Sequence, residues 1–499
     1  MKFVTLAAAL GLLACASAHA DPAKVKVEGG VVAGTATGGV AAWRDIPFAA
    51  PPVGPRRWAP PAAVVPWRGE RDATKAGPSC PQPMNPDGTP NAGGANGPTS
   101  EDCLQLNVFA PVNAKGAPVM VWIHGGSHLV GAGWVYDGSA FARDGVILVA
   151  INYRLGPLGY FAHPALDKAA KGPVGNYGLM DQIAALEWVQ RNIAAFGGDP
   201  KNVTVFGESA GGMSTLALLA TPSSKGLYRK AIVESGGGWF PAVNLAEAET
   251  YGAAAVQKLG LTDPTADQLR AIPADDLVAK LKGEAYGPFI DGKLMTESAS
   301  QAFAAGHAID VPLIIGSNSG EDSLMGRWRP EYAARVPPVA KLVYKDEAAV
   351  SDEAVGRALF TDRYMGGPAR WIAAQASGGQ PAWLYHFSYV GGRFRPYMKT
   401  AFHAAEIQYV FEYWGRRTPM SVVTDEDKAM ATLMHSCWVA FAKTGTPTCA
   451  SGPAWPAYDP KTDQLMEFGS PSGVRANFQK TRLDAIQSVA LPELGLKSK

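Results

Sequence analysis

A serine set between two glycines, Gly207-Glu208-Ser209-Ala210-Gly211, constrains this chain more than any other stretch. Before it, Val203-Thr204-Val205-Phe206 alternates as a strand does, and after it residues 212–220 read as a helix. A chain passing from strand to helix in so few residues must turn sharply. Glycine tolerates the backbone angles and the close approach that such a turn demands. The turn lifts the Ser209 hydroxyl out of a sheet and onto a helix N-terminus, where a nucleophile is useful and an oxyanion is stabilised.

The flanking sequence predicts the sheet. Apolar runs at 118–123 and 146–151 read as buried strands, followed by 203–206, 230–234, 311–315 and 383–387, the last expected to end the central set. Residues 178–195 carry helical spacing, with Leu179, Ile183, Leu186, Val189 and Ile193 on one face. Strands alternating with helices predict an α/β fold: a mostly parallel central sheet with helices on both faces. Ligands of such sheets bind at the C-terminal strand ends, where Ser209 lies. Segments 246–285 and 331–372 read as helical insertions walling the site. No internal repeat is visible, so residues 21–499 are expected to form a single domain.

The ends and the charge narrow the setting. Lys2, an apolar stretch over 3–14 and Ala18-His19-Ala20 before Asp21 fit a cleaved secretory leader at 1–20. That implies a periplasmic or secreted protein. A second reading takes Leu12-Leu13-Ala14-Cys15 as a lipoprotein box, leaving the chain lipid-anchored through Cys15. No later segment is long and apolar enough to span a bilayer. A net charge of +1 leaves no electrostatic footprint for nucleic acid. The expected partner is a small molecule, met by a monomer.

Loss of the leader leaves Cys80, Cys103, Cys437 and Cys449, an even count that suggests disulfides in an exported chain. Four cysteines allow three connectivities, and local pairing, Cys80–Cys103 and Cys437–Cys449, is the simplest. For the second pair, two free thiols are the alternative, because Cys437 lies in a helix-like run. None has a C-x-x-C partner, so no zinc site is expected.

A nucleophilic serine needs a base, and the base needs an orienting acid. His403 stands just before a helix-like run and beyond the last expected strand, where a loop histidine can reach over a site; His386 and His435 fall inside a strand and a helix pattern. Glu321 follows Ile314-Ile315-Gly316-Ser317-Asn318 at a strand end. The order serine, acid, histidine suits the strand–turn–helix nucleophile. His124-Gly125-Gly126-Ser127, directly after a strand, is a loop able to offer backbone N–H groups to an oxyanion together with the N–H of Ala210.

With these residues the chain resembles the type-B carboxylesterases, the cholinesterase-like branch of the α/β-hydrolases. The likeness runs from about Val31 to Phe468. Asp45-Ile46-Pro47-Phe48-Ala49 and Glu101-Asp102-Cys103-Leu104-Gln105-Leu106-Asn107-Val108 are similar to the family's first two signatures. Asn152-Tyr153-Arg154-Leu155-Gly156, Phe206-Gly207-Glu208-Ser209-Ala210-Gly211-Gly212 and His403-Ala404-Ala405-Glu406-Ile407 follow in the family's order. The resemblance implies Cys80 as the partner of Cys103. It implies a triad of Ser209, Glu321 and His403, with oxyanion donors at Gly126, Ser127 and Ala210 and no metal or organic cofactor. Ser127 stands where the family usually has a third glycine, so it either narrows the acyl side or adopts an unusual φ. Gly320-Glu321-Asp322 replaces the family's frequent Asp-Glu-Gly, and register favours Glu321 over Asp322 as the acid.

The implied activity is hydrolysis of carboxylic esters through an acyl-serine. Cholinesterases hold a quaternary ammonium on a tryptophan in the loop closed by the first disulfide; residues 81–102 contain no aromatic side chain, which argues against choline esters. Trp239, Phe240, Tyr286 and Phe289, with Glu208 beside the nucleophile, are the candidate pocket residues, with ordinary core as the alternative for the aromatics. The expected substrates are uncharged esters with short acyl or aryl groups. Two other classes fit parts of the pattern: an exported hydrolase of amides, carbamates or lactones, and a non-catalytic binding protein of the same fold.

Overall fold

The apolar runs become strands whose alternating side chains build a core on each face of one sheet. A computed structural model describes residues 23–172, 174–333, 336–415 and 418–496; the leader at 1–20, with Cys15, lies outside them. The strands are β1 (Ala23–Val27), β2 (Gly30–Thr37), β3 (Val40–Pro47), β4 (Glu70–Asp72), β5 (Gln105–Pro111), β6 (Ala117–Ile123), β7 (Ile147–Ile151), β8 (Gly198–Glu208), β9 (Lys230–Glu234), β10 (Leu313–Asn318), β11 (Ala382–Phe387), β12 (Gln464–Phe468) and β13 (Gly473–Ala476). They join in one sheet of order β1-β2-β3-β5-β7-β6-β8-β9-β10-β11-β12-β13, with β4 added beside β2. From β7 through β12 in the sheet order neighbouring strands run parallel; β1, β2, β3, β5 and β7 pair antiparallel in turn, as do β12 and β13, and β4 runs parallel to β2.

Parallel strands buried on both faces read as continuous apolar runs, and β7 is such a run. Along β6, Val119, Val121 and Ile123 enter one core while Met120 and Trp122 enter the other. In β7, Ile147, Val149 and Ile151 likewise oppose Leu148 and Ala150. The helix α1 (Tyr177–Asn192) lays Leu179, Ile183, Leu186 and Val189 on the first core. The helix α2 (Ala210–Leu219) follows β8, and α3 (Asp425–Thr444) covers the second core with Met430, Met434, Trp438 and Phe441. Because β6, β8 and β10 run parallel, their C-terminal ends at Ile123, Glu208 and Asn318 lie along one edge of the sheet, so three distant loops converge there.

Both disulfides are local, Cys80–Cys103 and Cys437–Cys449, which closes the choice among connectivities. Two sequence expectations need correction. The central set does not end at β11: β12 adds in parallel beyond it. Its pattern was hard to read because Gln464 and Glu467 interrupt the apolar residues, Glu467 being paired with Arg475 of β13. The segment 331–372 is helical in large part, but none of its described residues lines the cavity over Ser209. Val336, Ala340, Tyr344 and Val355 instead give it a small core of its own. No helix among the described residues is long and apolar enough to cross a membrane.

Candidate active site

Ser209 sits at φ 56°, ψ −123°, between the end of β8 and the first residue of α2. An L-residue avoids that region, and holding it there costs roughly 1–3 kcal/mol. The surroundings impose it. The Ser209 N–H donates to the Glu234 carbonyl of β9 at 2.9 Å, and the Ser209 carbonyl accepts from Met213 N–H at 2.8 Å. A Cβ on Gly207 would stand 2.6 Å from the Gly211 backbone, and one on Gly211 would stand 2.0 Å from the Ile123 carbonyl oxygen. Both glycines are therefore required by the closeness of strand, turn and neighbouring strand.

Glu321 begins a 3-10 turn just past β10 and is wholly buried. Its Oε1 accepts from the Asn318 N–H at 2.7 Å and from the Ser235 hydroxyl at 2.5 Å. Its Oε2 meets Nδ1 of His403 at 2.5 Å. The histidine loop is sewn to the end of β10: Gly320 N–H donates to the Ala401 carbonyl at 2.8 Å, Asn318 Nδ2 to the Phe402 carbonyl at 3.0 Å, and His403 N–H to the Ser323 hydroxyl at 2.9 Å. With Nδ1 bound to Glu321, Nε2 is the free-facing nitrogen of the ring, and it stands 3.1 Å from Oε1 of Glu208. Asp322 turns away to Arg357.

After β6 the chain enters a tight turn, with Leu129 N–H and Val130 N–H both donating to the Gly126 carbonyl at 3.0 Å. Gly126 has φ +104°, and a Cβ there would lie 2.1 Å from the Val130 carbonyl oxygen. Ser127 follows at φ 57° and His128 at φ 54°. The unusual φ expected from a side chain at 127 is present. Two successive left-handed L-residues cost roughly 1–2 kcal/mol each, so something outside the turn must hold it.

Four buried glutamates gather behind the histidine: Glu208, Glu234, Glu321 and Glu406. Glu406 takes the Asn318 side-chain amide on Oε2, and Glu234 takes the Trp438 indole N–H on Oε1 at 2.7 Å. Burial, then repulsion from Glu208 and Glu321, pushes Glu406 up to about 8. Burial and the neighbouring Glu406 push Glu234 well above the carboxylate range. Both thus carry protons near neutrality, which keeps the cluster from accumulating four charges. For His403, burial alone would lower the pKa, but the carboxylates of Glu208 and Glu321 outweigh it and raise it to about 10. The two carboxylates therefore stabilise the imidazolium that the ring becomes when it takes up a proton.

A cavity of about 630 Å³ opens over Ser209 and His403, within the range of small-molecule sites. Gly126, Ser127 and Glu208 form part of its floor, and Pro83, Pro90 and Asn91 of the loop closed by the first disulfide form a wall. Ala210, buried at the start of α2, lies directly after the serine. The remaining pocket expectations need correction, since Trp239, Phe240, Tyr286 and Phe289 do not line this cavity. Trp239 is 1% exposed and packs 6.2 Å from Trp371. Phe240 and Phe289 line a separate cavity of about 100 Å³ with Met213. Tyr286 donates its hydroxyl to the Leu281 carbonyl at 2.9 Å. Trp239 and Phe289 entered cores and Phe240 the wall of the smaller cavity; nearness in sequence to a strand end does not set the direction of a side chain. The phenylalanine and tyrosine rings that line the main cavity are Tyr136, Phe402, Phe411 and Tyr413, none of them among the expected pocket residues.

The profile of the Carboxylesterase family matches residues 21–337 and 334–486. The chain is 39% identical over 477 residues to a para-nitrobenzyl esterase of Bacillus subtilis, covering 89% of this chain and 94% of the relative. It is 37% identical over 495 residues to a fumonisin B1 esterase of Sphingopyxis macrogoltabida, covering 91% and 88%. A solved PNB esterase superposes with TM-score 0.81 at 36% identity, covering 92% of this chain and 99% of that one. A carboxylesterase of Geobacillus stearothermophilus superposes with TM-score 0.81 at 32% identity, covering 93% and 99%. With matches over nearly the whole length, in sequence and in fold, this chain belongs to the type-B carboxylesterase family of α/β-hydrolases and is a carboxylic ester hydrolase.

Proposed function

We propose that Ser209 is the nucleophile, His403 the base and Glu321 the orienting acid of an esterase for uncharged carboxylic esters with short acyl or aryl groups. The observation that carries this reading is the Glu321–His403 contact, with His403 and Ser209 facing one cavity. Ser209 Oγ attacks the ester carbonyl carbon as its proton passes to His403 Nε2. The oxyanion rests on the N–H groups of Gly126, Ser127 and Ala210. Glu321 holds Nδ1–H and stabilises the imidazolium. The C–O bond then breaks, and the alcohol leaves with the Nε2 proton. Water adds to the acyl-Ser209, surrendering its proton to Nε2, and the carboxylic acid departs as Ser209 regains a proton.

The substrate class follows from the lining. Apolar side chains make up much of the cavity lining, and the charges of Glu208 beside the serine and of Lys282 oppose each other, which supports a neutral ester. The disulfide loop contributes Pro83, Pro90, Asn91 and glycines but no ring, which supports the reading against a choline site on that wall. The relative named for para-nitrobenzyl esters supports an aryl-bearing substrate. Residues 21–499 act in this reading as one monomeric domain outside the cytoplasm, after loss of the leader; the two disulfides support an oxidising compartment.

A panel of neutral p-nitrophenyl and benzyl esters of graded acyl length, run beside matched amides and a succinate monoester, tests the reading. Short neutral esters are expected to give the highest kcat/KM, and a fluorophosphonate probe is expected to label Ser209. Faster amide turnover, or labelling elsewhere on folded protein, would refute it.

A further inference from the structure

We propose that His128 is a positioning residue: its buried ring holds the Ser127–His128 turn in the left-handed conformation that points the Ser127 N–H at the oxyanion. The inference rests on the reading of that N–H as an oxyanion donor.

Ser127 and His128 are consecutive, at φ 57° and 54°, and neither is glycine. A chain with glycine at 127 would enter this region freely; this chain must be held there. The backbone turn closes only on Gly126, whose carbonyl takes the N–H groups of Leu129 and Val130. The two strained residues have no cross-turn hydrogen bond of their own in that closure. Their hold comes from the other end of His128. Its side chain is 1% exposed, although Ser127 beside it is exposed. Its Nε2 lies 3.0 Å from the Ser214 hydroxyl. Ser214 stands on α2, the helix that begins right after the nucleophile, and Ser214 in turn accepts from Gln182 Nε2 of α1 at 3.0 Å. The His128 carbonyl accepts from Gly156 N–H at 2.7 Å. One imidazole thus ties the oxyanion turn to the helix that carries Ala210.

The chemistry of the ring suits a fixed strut. Burial pushes its pKa down to about 4, so it stays neutral and needs no counter-charge. An aromatic ring without nitrogens would fill the same space against Tyr160, 5.0 Å away between centroids, but could not bond Ser214. The consequence is differential: the strut acts on an N–H that is needed when the carbonyl oxygen becomes an anion, and less before.

The test uses His128→Phe, which keeps an aromatic ring and removes the hydrogen bonds. Ser214→Ala approaches the same bond from α2 with a smaller change, should the first variant fold poorly. Three quantities are measured on each folded variant: kcat, KM for a neutral p-nitrophenyl ester, and Ki for a trifluoromethyl ketone, whose hemiketal oxyanion occupies the hole. In His128→Phe, kcat is expected to fall about 10- to 100-fold, with Ki rising by a similar factor and KM changing little. The effect of Ser214→Ala is expected to be smaller and in the same direction. In a Ser127→Gly background the loss caused by His128→Phe is expected to shrink, because glycine needs no strut. Unchanged kcat and Ki in both variants, or an undiminished loss in the glycine background, overturns the role of His128 and leaves the Ser127 assignment standing. A fall in kcat with Ki unchanged overturns the oxyanion reading of Ser127 and the inference with it.

Discussion

Replacing Glu208 by glutamine should move the pH dependence of catalysis in a direction set by charge alone. Glu208 Oε1 lies 3.1 Å from Nε2 of His403, which places the two charge centres about 4 Å apart. At an effective dielectric constant of about 20 that separation gives ~4 kcal/mol of attraction, or at most about 3 pKa units. Glu321 on Nδ1 remains, so His403 keeps part of its upward shift. The imidazole must be neutral to accept the serine proton. A lower His403 pKa enlarges the neutral fraction at low pH. The acid limb of kcat/KM should therefore move to lower pH by about one to three units in Glu208→Gln. On the plateau kcat should fall, because the imidazolium formed during acylation loses the same carboxylate; a loss of about ten-fold corresponds to one pKa unit of that interaction. Glutamine matches glutamate in shape, so the Gly125 backbone against Glu208 need not shift. The assay is a pH–rate profile with a neutral chromogenic ester, so that only enzyme groups titrate. Glu406→Gln is the comparison: Glu406 contributes less than Glu208 and Glu321 to the upward shift of His403, so its replacement should move the limb the same way by a smaller amount. A limb that stays fixed or moves upward in Glu208→Gln would refute the electrostatic reasoning.

Further expectations concern the serine and the disulfide wall. Ser209→Ala should reduce turnover of every ester by about 10⁴-fold or more while leaving the fold intact by circular dichroism. Ser209→Gly should be equally inactive yet more stable than Ser209→Ala by about 1 kcal/mol in thermal unfolding, because glycine occupies φ 56° without strain. Removing both Cys80 and Cys103 as serines opens a loop of 23-residue separation, which should cost about 3 kcal/mol in denaturant unfolding. KM for aryl esters should rise in the same variant, because Pro83, Pro90 and Asn91 wall the cavity; an unchanged KM would detach that loop from substrate binding.

Much of the site was legible because its demands are local. Gly207 and Gly211 report a close approach that shows in five residues of sequence, and the alternation around them announces strand and helix. The proposed acid and base were legible by position, Glu321 just past a strand end and His403 before a helix-like run. Their partners were not. Glu234 is bonded to Trp438 across 204 residues, and Glu406 to Asn318 across 88. No pattern near either glutamate says that it will be buried beside two others. The four aromatics expected in the pocket failed for the complementary reason: a ring is apolar in a cavity wall and in a core alike, and packing decides between them.

His128 shows the same division within one turn. The run Gly125-Gly126-Ser127 declares a loop with exposed N–H groups, and the serine warns of a strained φ. What holds that φ lies on α2 and α1, at Ser214 and Gln182. By itself the sequence determined the family, the α/β sheet, the strand–turn–helix at Ser209 and the chain order of the proposed serine, acid and base, because backbone geometry and periodicity act over a few residues. Only the tertiary structure decided which rings line the cavity, which carboxyls share the field of His403 and what braces the oxyanion turn. Those are facts of burial and distance, and they exist only once parallel strands bring remote loops to one edge of the sheet.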